Sequence, residues 1–185
     1  MKRNILVFSA VFVLGSILGT LGTISFPMGV NITYFWPAAA LQTVSGIFFG
    51  LWGILAGVAF PIVSNALTDS SWAHTIGFIP ANIVQCSLPL LVMRKFNISP
   101  NLKRMRDVLL FITGCTILPN VLGSVVGCGI LYMSGYVNNN IELWDLIFVW
   151  IVGNIPSSMV FGFLLVKVIT PVLKGCGLYY EGFLK

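Results

Sequence analysis

Charged residues are scarce in this sequence, and their scarcity excludes a soluble domain. Asp, Glu, Lys and Arg make up 8% of the 185 residues, whereas soluble domains carry about 25%. Hydrophobic residues make up 57%, so the chain cannot cover itself with a water-facing surface. We therefore predict an integral membrane protein. The formal net charge of +5 does not indicate nucleic-acid binding, because the basic residues lie beside apolar runs and leave no charged face for phosphates.

Residues that catalyse reactions or bind metals are also few. His74 is the only histidine, so a site built from several histidines is excluded. No pair of carboxylates lies inside an apolar run, and no G-x-S-x-G, H-E-x-x-H or Walker motif occurs. The four cysteines form no C-x-x-C pair, which argues against a metal site and a disulfide framework. We predict a protein that is not an enzyme and has no cofactor; an intramembrane enzyme is the alternative.

Six apolar runs predict a single membrane domain over residues 1–185. A bilayer core of about 30 Å takes roughly 20 helical residues. The first run is longer than the apolar part of a secretory signal, and no A-x-A cleavage site follows it, which favours a retained span. A tight turn at residues 50–53 separates the short second and third runs. The predicted spans are approximately 5–24, 34–49, 53–67, 74–93, 108–133 and 144–166.

One basic loop predicts how the chain threads the bilayer. Arg94–Asp107 holds five of the ten Lys and Arg residues, and cationic loops beside spans stay on the cytoplasmic side. Four predicted spans separate this loop from the N-terminus and two follow it, so both termini lie inside. Asp69, Glu142 and Asp145 then lie outside. The predicted fold is all-α: a compact bundle of six transmembrane helices in the plasma membrane, with both termini in the cytoplasm.

Prolines next to small polar residues recur in the last three predicted spans. Pro80 is followed by Asn82, Pro119 by Asn120, and Pro156 by two serines. A proline kinks a helix and frees a backbone carbonyl, which must find a partner inside the membrane. The polar side chains can satisfy that carbonyl, or the kinks can open a polar cavity among these helices. Both interpretations stay open.

The polar side chains at span depth are neutral amides and hydroxyls, which argues against a proton relay or an ion-coupled carrier. Neutral amides can bind an uncharged or zwitterionic ligand, or join helices to each other. Aromatic residues at the predicted outer ends add stacking surfaces, although an interfacial belt explains each of them alone. Small-ligand pockets combine both kinds of residue. The candidate ligand-binding residues are Asn31, Tyr34, Trp36, Asn65, Asp69, Trp72, His74, Asn82, Gln85, Asn120, Trp144, Asp145 and Asn154.

Three glycines mark one face of the first predicted span. Gly15, Gly19 and Gly22 lie on much the same side of a helix, and small residues at this spacing let another helix approach closely. That helix can belong to this chain or to another protein. We therefore take the three glycines as candidate partner-docking residues.

Several motifs resemble one transporter family. The first outer loop reads PMGV at residues 27–30, the turn after the second span reads FGLWGILAG at residues 49–57, and WIVGN at residues 150–154 precedes Pro171 and Leu173. Together with the length and the six predicted helices, these motifs resemble the substrate-binding S components of energy-coupling factor (ECF) transporters. Family members often read F-G-P-x-x-G-x-x-x-G at the turn, where this chain has Leu51 in place of proline.

The resemblance implies a function and a set of partners. An S component captures a small micronutrient, such as a vitamin, from outside for ATP-driven uptake. Its partners are a transmembrane T subunit and ATPase subunits. Many S components dock to the T subunit through A-x-x-x-A in the first helix, where this chain offers Gly15 and Gly19 instead. A rival resemblance, carried by Trp36-Pro37, is to membrane-associated sensor domains of signalling proteins. We favour the transporter subunit.

Overall fold

The computed structural model describes residues 2–29 and 32–180. This part of the chain is helical apart from one short two-stranded antiparallel ribbon, which confirms the predicted helical class. Five helical stretches in it are long and apolar enough to cross a membrane, against six spans predicted. These stretches are Lys2–Ser25, Ala38–Leu67, Trp72–Lys95, Met105–Met133 and Asn140–Gly175.

Several of the long stretches are interrupted, so they consist of more than one element. Two of them contain a π-helical segment, in which the backbone hydrogen bonds skip one extra residue. The elements in chain order are α1 (Lys2–Ser25), β1 (Pro27–Gly29), β2 (Ile32–Thr33), α2 (Ala38–Leu67), α3 (Trp72–Gly77), α4 (Ile79–Lys95), α5 (Met105–Leu110), π1 (Phe111–Ile117), α6 (Leu118–Met133), α7 (Asn140–Ser157), π2 (Ser158–Gly162) and α8 (Phe163–Gly175).

Gly50 reverses the direction of the chain inside α2. Its φ of 57° and ψ of −135° belong to a region that glycine enters without a steric penalty. Across this point, Gln42 Nε2 donates a hydrogen bond to the carbonyl of Gly57 at 3.3 Å, whereas residues fifteen apart in a straight helix are about 22 Å apart. Residues 38–49 and 51–67 therefore form two antiparallel arms, which we call arm A and arm B.

α1 packs closely against arm B through its glycines. A methyl group on Gly15 would overlap the ring of Phe60, and a methyl group on Gly19 would lie 3.0 Å from the Ser64 side chain. Gly22 meets the segment that precedes arm A in the same way. The chain therefore fills this face of α1 with its own helix. Of the two possibilities that the sequence left open, the described residues show the contact within the chain; partner docking at the three glycines stays a prediction.

Helix α4 lies at the centre of the bundle, between α2 and α6. It crosses arm A at Gly46, where an added methyl group would overlap the carbonyl of Cys86. On its other side, a methyl group on Gly123 of α6 would lie 2.8 Å from the Gln85 side chain. α7 then packs against α6, with Trp150 beside Gly127. The close approach of small residues thus brings the backbones of four helices together.

The two ends of the bundle differ in charge. One end of the bundle holds the reversal at Gly50, the loop after α4 and both described chain ends. There the Tyr180 backbone N–H donates to the Phe48 carbonyl at 2.8 Å, and the Arg3 side chain donates to the Gly177 carbonyl at 2.9 Å. Because this end also carries the basic loop, we call it the basic end. The other end, which we call the opposite end, holds the loops before α2, α3 and α7. The rings of His74 and Tyr136 are in contact there, with their centroids 4.3 Å apart.

Candidate functional site

A small cavity lies toward the opposite end of the bundle, enclosed by α1, β2, α2, α4 and α7. Its volume is about 40 Å³, counted as space for the centres of water-sized molecules. A water molecule needs roughly 10–15 Å³ on this measure, so the cavity holds a few waters as it stands. Amide, hydroxyl and aromatic side chains line it together. The lining residues are Thr23, Thr33, Trp36, Pro61, Asn65, Phe78, Asn82, Trp150 and Asn154.

Three asparagines bring polar groups to the cavity from three different helices. Asn65 comes from arm B, Asn82 from α4 and Asn154 from α7, and each is at least nine-tenths buried. Gln42 Nε2 of arm A donates to Asn82 Oδ1 at 3.0 Å, which fixes the orientation of the Asn82 amide. The amide nitrogen of the same side chain is a hydrogen-bond donor. Carboxamides recognise neutral polar molecules through this mixture of donors and acceptors.

A second polar layer lies below the cavity, toward the basic end. Gln85 Nε2 donates to Asn120 Oδ1 at 2.7 Å. Asn120 Nδ2 donates in turn to Ser158 Oγ at 3.1 Å and to the Thr116 carbonyl at 2.8 Å. Ser158 Oγ donates to the Asn154 carbonyl at 2.7 Å, which links this layer to the cavity wall. The network fixes the positions of α4, α6 and α7 relative to one another.

Trp150 carries an unused hydrogen-bond donor at the cavity. Its side chain is 8% exposed, and its indole Nε1 has no hydrogen-bond partner among the described residues. The ring packs edge-on against Phe78, with centroids 5.1 Å apart. A buried N–H group without a partner costs about 1–3 kcal/mol. A molecule that offers an acceptor to Trp150 would remove that cost.

Trp36 lines the cavity from the segment between β2 and α2. Its indole N–H donates to the Gly19 carbonyl at 3.3 Å, and its backbone N–H donates to the Gly153 carbonyl at 3.2 Å. Gly153 permits this approach, because a methyl group there would overlap the carbonyl oxygen of Thr33. Two hydrogen bonds thus hold this segment to α1 and α7.

The structure brings together some of the predicted site residues and separates others. Trp36, Asn65, Asn82 and Asn154 line the cavity, and Gln85 and Asn120 form the layer below it. His74 contacts Tyr136 and Phe78 beside the cavity. Asn31 lies outside the described residues. Tyr34, Trp144 and Asp145 are exposed and do not line the cavity. Asp69 and Trp72 are exposed as well, but they line a separate pocket of about 240 Å³ together with Thr75.

Five lining residues were not among the predicted ones. For Thr23, Thr33 and Pro61, the surrounding sequence does not indicate whether the side chain faces the cavity or lies elsewhere. Phe78 and Trp150 lie within apolar runs, where an aromatic ring can face lipid or protein equally well. The sequence signal that could have pointed to Trp150 is the WIVGN motif, since it places Trp150 one helical turn before Asn154, on the same side of α7.

The described residues offer no basis for metal or ionic chemistry at this cavity. They contain no group of three or more His, Cys, Asp or Glu side chains that could hold a metal ion. The nine residues that line the cavity include no ionisable side chain. The site can therefore hold a neutral or zwitterionic molecule by hydrogen bonds and ring contacts.

An apolar groove of about 680 Å³ lies elsewhere, between α1, the start of arm A and the end of the chain's last helical stretch. Four of its ten lining residues are leucines of α1 and α8, and the others are apolar as well. It has no polar side chain of the kind that would orient a polar ligand.

No family model, curated protein or solved structure matches the chain.

Proposed function

We propose that this protein is a membrane-embedded binding subunit that captures a small neutral or zwitterionic organic molecule from outside the cell. The observation that carries the proposal is the cavity, in which three buried asparagines and three aromatic rings converge without any ionisable group. Pockets for small organic ligands combine apolar walls with a few placed polar groups. The resemblance to S components of ECF transporters names the class of ligand, a vitamin-like micronutrient.

The proposed topology is six spans with both termini in the cytoplasm. The two arms of α2 support it, since they run antiparallel and reverse at the basic end. Counting each arm as one span turns the five apolar stretches into six. Both chain ends and the basic loop then lie on one side of the membrane, as the distribution of Lys and Arg requires. The cavity lies on the outer side in this arrangement.

Entry of a vitamin-sized ligand requires the cavity to open. Its volume of about 40 Å³ is well below the roughly 300–1,000 Å³ typical of pockets for small molecules. In this proposal the segment with Trp36 moves aside to open the cavity. It has to break two hydrogen bonds and the contact between the Trp36 and Phe60 rings. Its displacement joins the cavity to the outer aqueous phase.

Uptake also needs a source of energy, and this sequence contains no Walker motif for ATP binding. We propose that a transmembrane T subunit and ATPase subunits supply it, as in ECF transporters. Affinity capture of the tagged chain from its native membrane in a mild detergent should recover these proteins. Recovery of a histidine kinase or a diguanylate cyclase would instead favour the sensor interpretation, and recovery of none would favour a stand-alone carrier or an enzyme.

The test of ligand binding uses molecules that co-purify with the protein. Mass spectrometry of extracts from purified wild-type protein should identify a small organic molecule enriched over a mock purification. Asn154→Leu fills the cavity with an apolar side chain and should lose that molecule. Asn101→Leu makes the same change at an exposed loop position and should keep it. Equal recovery from both variants would show that the cavity is not the binding site.

A further inference from the structure

A separate pocket lies at the opposite end of the bundle, where arm B ends and α3 begins. Its volume is about 240 Å³, counted as space for the centres of water-sized molecules. The end of arm B, the loop after it and the start of α3 form its walls. The lining residues are Ala66, Asp69, Ser70, Trp72 and Thr75. None of them lines the cavity between the helices, so the pocket is a distinct site.

Asp69 brings an unpaired negative charge to this pocket. It follows Thr68, the C-cap residue of arm B, and its φ of 56° is the left-handed conformation that Gly or Asn usually supplies at this position. The last carbonyl groups of a helix carry a partial negative charge, so a carboxylate beside them is unfavourable. Asp69 forms no ion pair among the described residues. A cation bound beside Asp69 would offset this electrostatic cost.

The described part of the chain supplies no Lys or Arg at this end. None occurs between residues 4 and 93 or between residues 107 and 166, and these ranges include all the loops of the opposite end. Residues 30 and 31, which lie outside the described residues, are Val and Asn and carry no charge. The His74 ring packs against Tyr136 and Phe78 and does not line the pocket. The electrostatic potential in the pocket is therefore negative.

A hydroxyl group and an indole ring complete the site. Ser70 Oγ is buried and has no hydrogen-bond partner among the described residues, and its oxygen can accept a hydrogen bond from a donor in the pocket. Trp72 is 68% exposed, and the face of an indole ring attracts a cation. A carboxylate, a free hydroxyl and an indole ring together fit a cation that also donates hydrogen bonds.

We propose that this pocket binds the primary ammonium group of a phospholipid such as phosphatidylethanolamine. The ammonium group donates a charge-assisted hydrogen bond to Asp69, donates a second one to Ser70 Oγ and lies against the Trp72 ring. Ca²⁺ and Mg²⁺ fit less well, because they take about six or more oxygen ligands and the pocket has one carboxylate. A quaternary ammonium group fits less well too, since it has no N–H to donate to Ser70.

The position of the pocket agrees with a lipid headgroup. Arm B ends at Leu67 and α3 begins at Trp72, so the loop between them is where the chain leaves the apolar core of the bilayer. Leu67 and Ile76, each next to a lining residue in the sequence, are 64% and 61% exposed. Such side chains match lipid chains, which are as apolar as leucine. A soluble amine would use the polar groups of the pocket but not these apolar flanks, which therefore favour a lipid.

The membrane interface offers a competing explanation for these residues. Tryptophans collect at the interface without binding any particular lipid, and water can solvate an aspartate in a loop. That explanation predicts no preference between lipids that differ only in methylation of the headgroup nitrogen. It also predicts the same result when either exposed tryptophan at this end, Trp72 or Trp144, is removed.

The experiment is native mass spectrometry of the purified full chain in detergent, with added phosphatidylethanolamine or phosphatidylcholine of identical acyl chains. The two lipids have the same net charge, but only phosphatidylethanolamine has N–H groups on its headgroup nitrogen. We expect it to be retained at least about fivefold more strongly, a difference of about 1 kcal/mol. Asp69→Asn should lose this preference and keep the fold, because Asn favours the same left-handed conformation. An absent preference in the wild type would overturn the proposal.

Two exposed residues of α7 provide matched controls, since neither Trp144 nor Asp145 lines the pocket. Asp145→Asn removes the same charge as Asp69→Asn and should keep the preference. Trp72→Leu should lower the preference, whereas Trp144→Leu should leave it unchanged. Equal losses in the two aspartate variants would overturn the proposal, because the effect would then come from net charge alone. Equal effects of the two tryptophan variants would remove the indole ring from the site.

Glycerophosphoethanolamine, which is the headgroup without acyl chains, tests the source of the ammonium group. The inference does not depend on capture of a micronutrient, because this pocket and the cavity share no lining residue. An excess of glycerophosphoethanolamine should leave the bound phosphatidylethanolamine in place, since it lacks the chains that contact the apolar flanks. Displacement would identify a soluble amine as the ligand and would overturn the lipid assignment.

Discussion

The indole N–H of Trp150 is a donor that the fold leaves unused. We expect Trp150→Phe to weaken binding of the co-purifying molecule about fivefold or more, because a lost hydrogen bond to a buried partner costs about 1–3 kcal/mol. Isothermal titration calorimetry on purified protein measures the change. Trp144→Phe is the matched control, since Trp144 lies on the same helix and is 65% exposed. Equal affinities for the two variants would remove Trp150 from the site.

Sequence reasoning identified the amides of the site better than its aromatic walls. A carboxamide in an apolar span must find a polar neighbour, so its direction toward protein can be predicted from its chemistry alone. Asn82 and Asn154 were chosen as candidate ligand-binding residues because they are neutral amides at span depth, and both line the cavity. An aromatic ring carries no such constraint. The one signal that separates Trp150 from Trp144 is its position one helical turn before Asn154, which the sequence prediction did not use.

The polar residues beside the prolines take different roles. Asn120 and Ser158 donate to the carbonyls of Thr116 and Asn154, one turn earlier in the same stretch; these are not the carbonyls of Cys115 and Val152, which lose their α-helical donors at Pro119 and Pro156. Asn82 and Asn154 line the cavity instead. The sequences around these residues are too similar to predict which one lines the cavity and which one bonds to a backbone carbonyl, because that depends on the neighbouring helix.

At the scale of elements, Gly50 determines the shape of α2. We expect Gly50→Ala to destabilise the protein by about 1–3 kcal/mol, because its φ of 57° and ψ of −135° strain any residue with a β-carbon. Unfolding in a mixed-micelle titration measures the loss. Gly129→Ala is the control, since a methyl group there meets nothing within 4 Å; it should be neutral or stabilising. A neutral Gly50→Ala would show that the reversal does not need glycine.

The glycine face of α1 is a structural contact within the chain. We expect Gly15→Leu to prevent close packing of α1 on arm B, because even a methyl group there would overlap Phe60. Size-exclusion profiles and thermal aggregation should show a destabilised protein. Ser9→Leu adds the same side chain to the exposed side of α1 and should have little effect. A normally folded Gly15→Leu protein would contradict this packing and return the glycines to partner docking.

The helix boundaries show which features of an element can be read from sequence. The tight turn between the second and third predicted spans coincides with the reversal at Gly50, since glycines in an apolar run mark such a turn. The second helix begins at Ala38 and not at Tyr34; Pro37 is its N-cap residue, and Trp36 in the non-helical segment before it lines the cavity. The π segments were not predicted. π1 and π2 contact each other although they are distant in the sequence.

At the scale of the whole molecule, the number of crossings decides the position of the basic loop. Six spans put residues 2 and 101 on one side of the membrane, whereas a straight α2 would leave five spans and put them on opposite sides. We expect Lys2→Cys and Asn101→Cys to resist an impermeant thiol reagent in intact cells, and Asn139→Cys to react. The native cysteines are first replaced by alanine. Labelling of Asn101→Cys but not Lys2→Cys would refute the two-arm topology.

The arms of α2 also have a consequence for biogenesis. Arm A has twelve residues and rises about 18 Å, so it crosses a hydrocarbon core of about 30 Å only together with the non-helical residues 34–37 before it and with local thinning of the bilayer. On its own it also exposes Gln42, whose partner Gly57 is synthesised later. We expect the insertion machinery to hold arm A until arm B has emerged from the ribosome, and then to release both into the lipid as one hairpin. In a nascent chain stalled between the two arms, a photoreactive residue in arm A should crosslink to the insertion machinery, whereas in a chain stalled after arm B it should crosslink to lipid.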